Sequence, residues 1–543
     1  MMNYLVSVEA SAALDAEAQK EWGFDVHALV ESAGRNCAQV FMKAFPEFFR
    51  KNEKENTDLV KSMPRVTVAS GAGNNGADAM VMLRYWILSA YVDPLLSTVV
   101  VSRMPKTGEA GPWVSALASL RKMKVPVMVW DGDEGEKARI SSDDIFAHSD
   151  LIIDGIAGTG ISGALRGKAL EMANAVNFHR NHASLSGFRG KRFVVSIDLP
   201  SGSSDEWENG QPIIEADATL AIEPLKYCLY TPAARSSAGI ILPVKGIFPH
   251  ELIACHAQAE SLEWKIMKER VSKILPTAYK QQRGTVEIWA GSSGATGAAL
   301  IAALGAQAAG AGLVRLVVDE EIYPVLASQV AGIMVFPGSS GEVEIAGRAF
   351  LPDALLLGPG WGKKHNREQI LENALALERK GVPLVLDADA IELAKDKVFS
   401  GNTILTPHPG EFSKFSGLVR EEALSRPIPI LLKYAKERKA VILFKGHVIT
   451  IVAPDGRIGI IDGMAPGLAA GGSGDLLAGF CVAVAARMAG EGRGIDMYTC
   501  AAAAAALLIA SGKTKETKHR FTDPLEIAGR AADLAGEAWL SSI

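Results

Sequence analysis

Short apolar runs recur along this chain, and most are separated by segments of helix length. In the first half they fall at 66–70, 98–101, 127–129, 151–153 and 193–197. Each is short, largely apolar and β-branched, as expected of a strand covered on both faces. The alternation predicts a mostly parallel sheet with helices on both sides. A polar-capped helical stretch is expected around 8–45. Residues 241–244 close this system, and 250–264 read as a polar connection with little strand character. A second system starts at 285–289 and continues with strands at 313–318, 354–357, 384–386, 403–405, 441–444 and 449–452. The segment 177–192, basic and histidine-containing, reads as a surface insertion. No short-period repeat is present.

Composition narrows the picture. A chain of 543 residues exceeds one core, and its length favours about two to four domains. With 48% hydrophobic and 22% charged residues it reads as an ordinary globular protein. A net charge of −5 supplies no global field for nucleic acid or anionic membrane. The five cysteines are scattered without a Cys-x-x-Cys pair, which points to a reducing cytoplasm. The N-terminal stretch, with Glu9, Asp15 and Glu17, lacks a signal pattern. The longest apolar run, 500–510, is well short of the ~18 residues of a membrane span and reads as a buried Ala-rich helix.

Chemistry-bearing motifs of the second half follow strand ends. Ala469-Ala470-Gly471-Gly472-Ser473-Gly474-Asp475 opens a long apolar segment. Backbone N–H groups at a helix start can hold a phosphate, and a carboxylate there can take the proton of an attacking hydroxyl. Thr406-Pro407-His408-Pro409-Gly410-Glu411 fixes His408 in a rigid loop. Asp387-Ala388-Asp389 offers two carboxylates that can orient magnesium or phosphate-bound water, with capping expected of one of the two and Asp389 well suited to it. Lys445-Gly446-His447 puts a cation near nucleotide phosphates. Gly358-Pro359-Gly360 and Gly291–Ala298 are tight turns.

In this order the motifs resemble the ribokinase-like superfamily, and within it the ADP/ATP-dependent NAD(P)H-hydrate dehydratases. The resemblance implies that Ala298, Gly360 and His408 contact the hydrated nicotinamide substrate, with Asp475 as catalytic base. It implies that Lys445, Gly446, His447, Val448, Ile449 and Gly474 contact the nucleotide, ADP or ATP with magnesium. Ser473 stands where that family often has Thr, and keeps a hydroxyl.

In the first half, Gly71-Ala72-Gly73-Asn74-Asn75-Gly76-Ala77-Asp78 meets the G-x-G-x-x-G pattern, but Arg103 stands where a dinucleotide fold wants an acid. Asp154-Gly155 and Asp198-Leu199-Pro200-Ser201-Gly202 leave later strands. Three strand ends thus present Asp or Asn beside glycines, a set that can bind a hard cation and a phosphate. With Glu31-Ser32-Ala33-Gly34-Arg35 they resemble the NAD(P)H-hydrate epimerase family. The resemblance implies potassium at Asn75, Asp154 and Ser201. It implies substrate contacts at Asn74, Asn75, Gly76, Ala77 and Asp78, at Gly158, Thr159 and Gly160 and on to Ala164, and at Asp198, the expected proton-transfer residue. Lys226 matches a recurring lysine. Ala77 and Ala79 replace two glycines of that family.

The expected architecture is a Rossmann-like three-layer α/β/α epimerase domain at 1–250 and a ribokinase-like α/β dehydratase domain at 251–543. Together they would repair both epimers of NAD(P)HX, in the cytoplasm and as a homo-oligomer. The alternative is a kinase for a vitamin-type alcohol, using Asp475 identically, fused to a non-catalytic nucleotide-binding module.

Overall fold

The computed structural model describes residues 3–49, 63–130, 142–160, 163–182, 192–338, 351–364, 366–489, 494–513 and 522–540. The chain divides into two compact units, Tyr4–Gln258 and 259–543, the latter taking in residues 1–3.

In the first unit the strands are β1 (Asn3–Val6), β2 (Val66–Ser70), β3 (Ser97–Val101), β4 (Val127–Val129), β5 (Leu151–Gly155), β6 (Phe193–Ile197), β7 (Ala218–Ile222), β8 (Leu225–Lys226) and β9 (Ile240–Val244). Seven of them form a parallel sheet in the order β4-β3-β2-β5-β6-β7-β9. Alternate residues of each strand face opposite layers. Val68, Val99, Ile153 and Val195 pack with the helices Val26–Ala44, Asn74–Leu88 and Pro112–Lys122. Ala69, Val100, Ile152 and Val194 pack with Phe146, Met172 and Val176 of Ser142–Ala147 and Gly167–Asn181 on the other face. This is the expected three-layer arrangement. The order reverses between β2 and β5, where open α/β sheets leave a crevice for ligands.

Some local expectations need correction. The 8–45 stretch is two helices, Val8–Lys20 and Val26–Ala44, because Gly23 takes φ +73° and Asp25 caps the second helix by accepting from the Ala28 N–H. β1 and β7 were not anticipated. The 250–264 connection holds the helix His250–Cys255 and the strand β10 (Ala259–Ser261). The start of the expected insertion, 177–181, belongs to the helix Gly167–Asn181; residues 183–191 lie outside the described residues.

The second unit contributes β10, β11 (Thr285–Trp289), β12 (Leu313–Val318), β13 (Met334–Pro337), β14 (Ala354–Leu357), β15 (Leu384–Leu386), β16 (Thr403–Leu405), β17 (Val441–Phe444), β18 (Val448–Val452) and β19 (Ile458–Asp462). Their order is β13-β12-β11-β14-β15-β16-β17-β18-β19-β10. Pairing is parallel from β13 to β17, antiparallel through β18 and β19, and parallel again at β10. Small side chains dominate one face. Ala299, Ala302, Ala303 and Ala306 of Thr296–Ala308 meet the helices Ser473–Ala489 and Met497–Gly512 over Ile288, Leu356, Val385 and Ile404. Met497–Gly512 covers the expected 500–510 helix and is buried almost all round, as a core helix should be. Among the described residues no helix is long and apolar enough to cross a membrane.

Candidate functional sites

At the carboxyl ends of β11, β14, β15, β16 and β17 the second unit gathers nearly all its motifs. Lys445, just after β17, donates through Nζ to Asp387 Oδ1 at 2.6 Å and lies 3.7 Å from Glu411 Oε2. Thr406 donates its hydroxyl to the same Asp387 oxygen at 2.6 Å. Burial alone would lower the Lys445 pKa, but Asp387 and Glu411 outweigh it and the net shift is upward. Asp475 stands in the first turn of Ser473–Ala489. Burial, then the charges of Asp387 and Glu411, push its carboxyl up to about 7, against a smaller pull from Lys445. A base with that value is half ionised near neutrality, which suits proton abstraction. A Cβ on Gly474 would lie 3.5 Å from Lys445 Nζ, so the Gly-Gly-Ser-Gly loop and the lysine are neighbours.

His408 caps Pro409–Ser416. Its Nδ1 accepts from the Gly410 N–H at 2.9 Å, and Glu411 returns the bond by accepting from the His408 N–H at 2.8 Å. The imidazole is 55% exposed, with Nε2 3.3 Å from Glu411 Oε1. Gly360 adopts φ +58°, and a Cβ there would lie 2.8 Å from both the Ala295 oxygen and the Ala298 methyl. Ala298 and Gly360 are thus in contact, and only glycine fits.

Two expectations change. Asp389 caps nothing: Ala388 takes the N-cap position at φ 47°, and Asp389 Oδ2 accepts from the Gly362 N–H at 2.8 Å, fastening the Gly-Pro-Gly turn. The side chains of Val448 and Ile449 are core, so any nucleotide contact there falls to the backbone, whereas Gly446 and His447 are exposed.

In the first unit a cleft of about 560 Å³ opens where the strand order reverses. Asn74, Asn75, Gly76, Asp78, Gly158, Thr159, Gly160, Asp198 and Lys226 line it. Asp198 follows β6 with φ +63°, and Lys226 donates to its Oδ1 at 2.6 Å and to the Ile222 carbonyl at 3.1 Å. β8 pairs with β1 and so fixes Lys226, which sequence reasoning noted without giving it a partner. Ile161 and Ser162 lie outside the described residues.

Asn75, Asp154 and Ser201 meet around the Ala157 backbone. Asn75 Nδ2 donates to the Ala157 carbonyl at 3.0 Å, and Ser201 Oγ accepts from the Ala157 N–H at 2.8 Å. Asp154 accepts from the Ser196 and Ser201 hydroxyls at 2.7 and 2.5 Å. Burial nevertheless pushes its pKa up, the hydrogen bonds offsetting only part. Asn75 Oδ1 is buried without a partner. An orphaned amide oxygen beside a desolvated carboxylate suits an oxygen-loving monovalent cation, so the donor set fits potassium.

Ala77 does not face the cleft. It and Ala79 are fully buried in the core between the helix Asn74–Leu88 and the sheet. The added methyls therefore pack inside and do not obstruct a ligand. Gly34 explains the Glu-Ser-Ala-Gly-Arg segment: a Cβ there would sit 2.6 Å from Val81 and 2.8 Å from the Asp78 oxygen, so the helices touch backbone to backbone.

A family model described as NAD(P)H-hydrate dehydratase matches residues 286–531, and one described as YjeF-related protein N-terminus matches residues 26–228. The bifunctional NAD(P)H-hydrate repair enzyme Nnr of Moorella thermoacetica is 28% identical over 506 residues, spanning 90% of this chain and 88% of its own. That of Salinibacter ruber is 28% identical over 534 residues, with 92% and 90% covered. An ADP/ATP-dependent NAD(P)H-hydrate dehydratase from Bacillus subtilis, co-crystallised with ATP/Mg2+, is 24% identical with TM-score 0.43, covering 51% of this chain and 98% of its own. With one half matched by each model and near full-length relatives carrying both, the chain belongs to the family of bifunctional NAD(P)H-hydrate repair enzymes.

Proposed function

We propose that the 259–543 unit dehydrates S-NAD(P)HX to NAD(P)H at the expense of ADP or ATP, and that the Tyr4–Gln258 unit interconverts the R and S epimers. The observation that carries the reading is Asp475, held at about 7 in the first turn of a helix and electrostatically coupled to the Lys445–Asp387–Glu411 cluster.

Asp475 takes the proton of the C6 hydroxyl as that oxygen attacks the terminal phosphoryl group. N–H groups at the start of Ser473–Ala489 stabilise the charge that develops there. Lys445, next to Gly474, steadies the nucleotide phosphates. His408 and the Ala298–Gly360 contact position the nicotinamide ring. Phosphate then leaves as the C6–O bond breaks, driven by the ring nitrogen lone pair, and loss of the C5 proton restores NAD(P)H. Magnesium would enter with the nucleotide and offset phosphate charge. Asp387 and Glu411 are already engaged by Lys445, and among the described residues no three His, Cys, Asp or Glu groups form a metal cage, so the phosphates would supply most of its ligands.

In the first unit Asp198, oriented by Lys226, moves a proton of the C6 oxygen during epimerisation. Asn75, Asp154 and Ser201 would hold potassium, which would supply a positive charge to the cleft when bound. We place the protein in the cytoplasm, as a homo-oligomer.

The test uses S-NAD(P)HX with ADP or ATP and magnesium. Recovery of reduced-nicotinamide absorbance in wild type, and its loss in Asp475→Asn, supports the reading; a stable phosphoester product would establish the vitamin-type kinase instead. Potassium is checked by thermal unfolding: it should stabilise wild type and leave Asn75→Ala unmoved.

A further inference from the structure

We propose that Asp78 is a second proton-transfer group of the epimerase cleft, its carboxyl donating to the C6 oxygen of the hydrated nicotinamide. The proposal rests on the epimerase reading above. Asp78 lies in the second turn of Asn74–Leu88, lines the cleft, and is only 7% exposed. Its Oδ1 is buried and has no hydrogen-bond partner. The charged groups around it are Asp198, Lys226 and Asp15, with the buried Cys37 thiol behind. Lys226 is spent on Asp198 and the Ile222 carbonyl. A carboxylate left ionised in such a place would pay a large desolvation cost, so it holds its proton. Burial, reinforced by Asp198, accordingly pushes Asp78 well above the usual carboxylate range.

The cleft thus pairs a carboxyl bound to a lysine, Asp198, with a buried carboxyl that has no partner on Oδ1, Asp78. Environments that separate two carboxyls in this way assign one as base and one as acid. The C6–O bond breaks as the Asp78 proton passes to the oxygen, water departs, and the N1 lone pair forms a C6=N1 iminium. Water then adds to the opposite face of C6 and loses a proton to Asp198. That proton returns to Asp78 through water in the cleft, and no net proton or electron is consumed.

The experiment follows conversion of purified R-NADHX to the S epimer by the full-length protein without nucleotide. Asp78→Asn keeps the shape but cannot transfer a proton. It should lower kcat by at least ~100-fold with KM little changed, and should abolish the alkaline fall of the wild-type pH profile. Asp78→Ala should regain activity when formate is added, a rescue that a purely structural role would not show. A wild-type-like rate in Asp78→Asn, or a loss with no rescue and an unaltered pH profile, overturns the proposal while leaving the epimerase reading intact. An inactive wild type would overturn both.

Discussion

Lys445 Nζ and Asp387 Oδ1 meet at 2.6 Å, joining the loops after β17 and β15 beneath the helix that carries Asp475. Both groups are withdrawn from water, Asp387 almost wholly. Removing one partner therefore strands the other. Lys445→Met should destabilise the second unit by ~3–5 kcal/mol, whereas Lys445→Met combined with Asp387→Leu should lose less. Denaturant unfolding of both single variants and of the double variant measures this; a double loss equal to the sum of the two single losses would mean that the pair is not energetically coupled.

The pH dependence follows from Asp475. As a base it acts only when ionised, and its pKa is raised to about 7. Dehydration kcat/KM should rise about tenfold per pH unit up to that value and then level off. Stability should move the opposite way. The folded carboxyl keeps its proton above the ordinary value of 3.8, so stability present in acid is lost as pH climbs to about 7. Asp475→Asn should remove that component of the slope along with activity, which unfolding curves across this range would show.

Close helix packing sets where Asp475 stands. A Cβ on Gly479 would lie 2.2 Å from the Ala302 oxygen and 2.8 Å from the Ala306 nitrogen. Gly479→Ala should push Ser473–Ala489 off Thr296–Ala308, costing ~1–3 kcal/mol and shifting Asp475 from its partners. Calorimetry should show the loss, and dehydration should fall while epimerisation persists.

Ala77 and Ala79 are buried methyls of a helix interior. Returning both to glycine should leave the epimerisation rate within a few-fold of wild type. It should also destabilise the first unit by ~0.5–1 kcal/mol per site. A large gain in epimerase rate would mean instead that the methyls obstruct the site.

The strands that carry chemistry were legible because each is a buried parallel strand, largely apolar and followed closely by glycines or charged residues. β2 running into Gly71 and β17 running into Lys445 are examples. Other elements gave weaker signals. β7, Ala-Thr-Leu-Ala-Ile, lacks the usual Val and Ile density, and β1 is stabilised by pairing with distant β8. Asp389 has the composition of a cap, but Ala388 takes a positive φ and turns its carboxylate toward Gly362, a tertiary contact that no local pattern encodes. Site membership was read best where a motif leaves a strand end. It was read worst for side chains within a helix or strand, such as Ala77, Val448 and Ile449, whose facing depends on packing.

One assay joins the two units: racemic NAD(P)HX with ADP or ATP, followed by reduced-nicotinamide absorbance. Wild type should recover essentially all of the substrate as NAD(P)H, Asp198→Asn about half before slow spontaneous epimerisation, as expected when a lost proton-transfer group costs ~10²–10⁴ in rate, and Asp475→Asn none. Recovery that stops at the S epimer in wild type, or a phosphorylated product that persists, would contradict the repair function proposed for this chain.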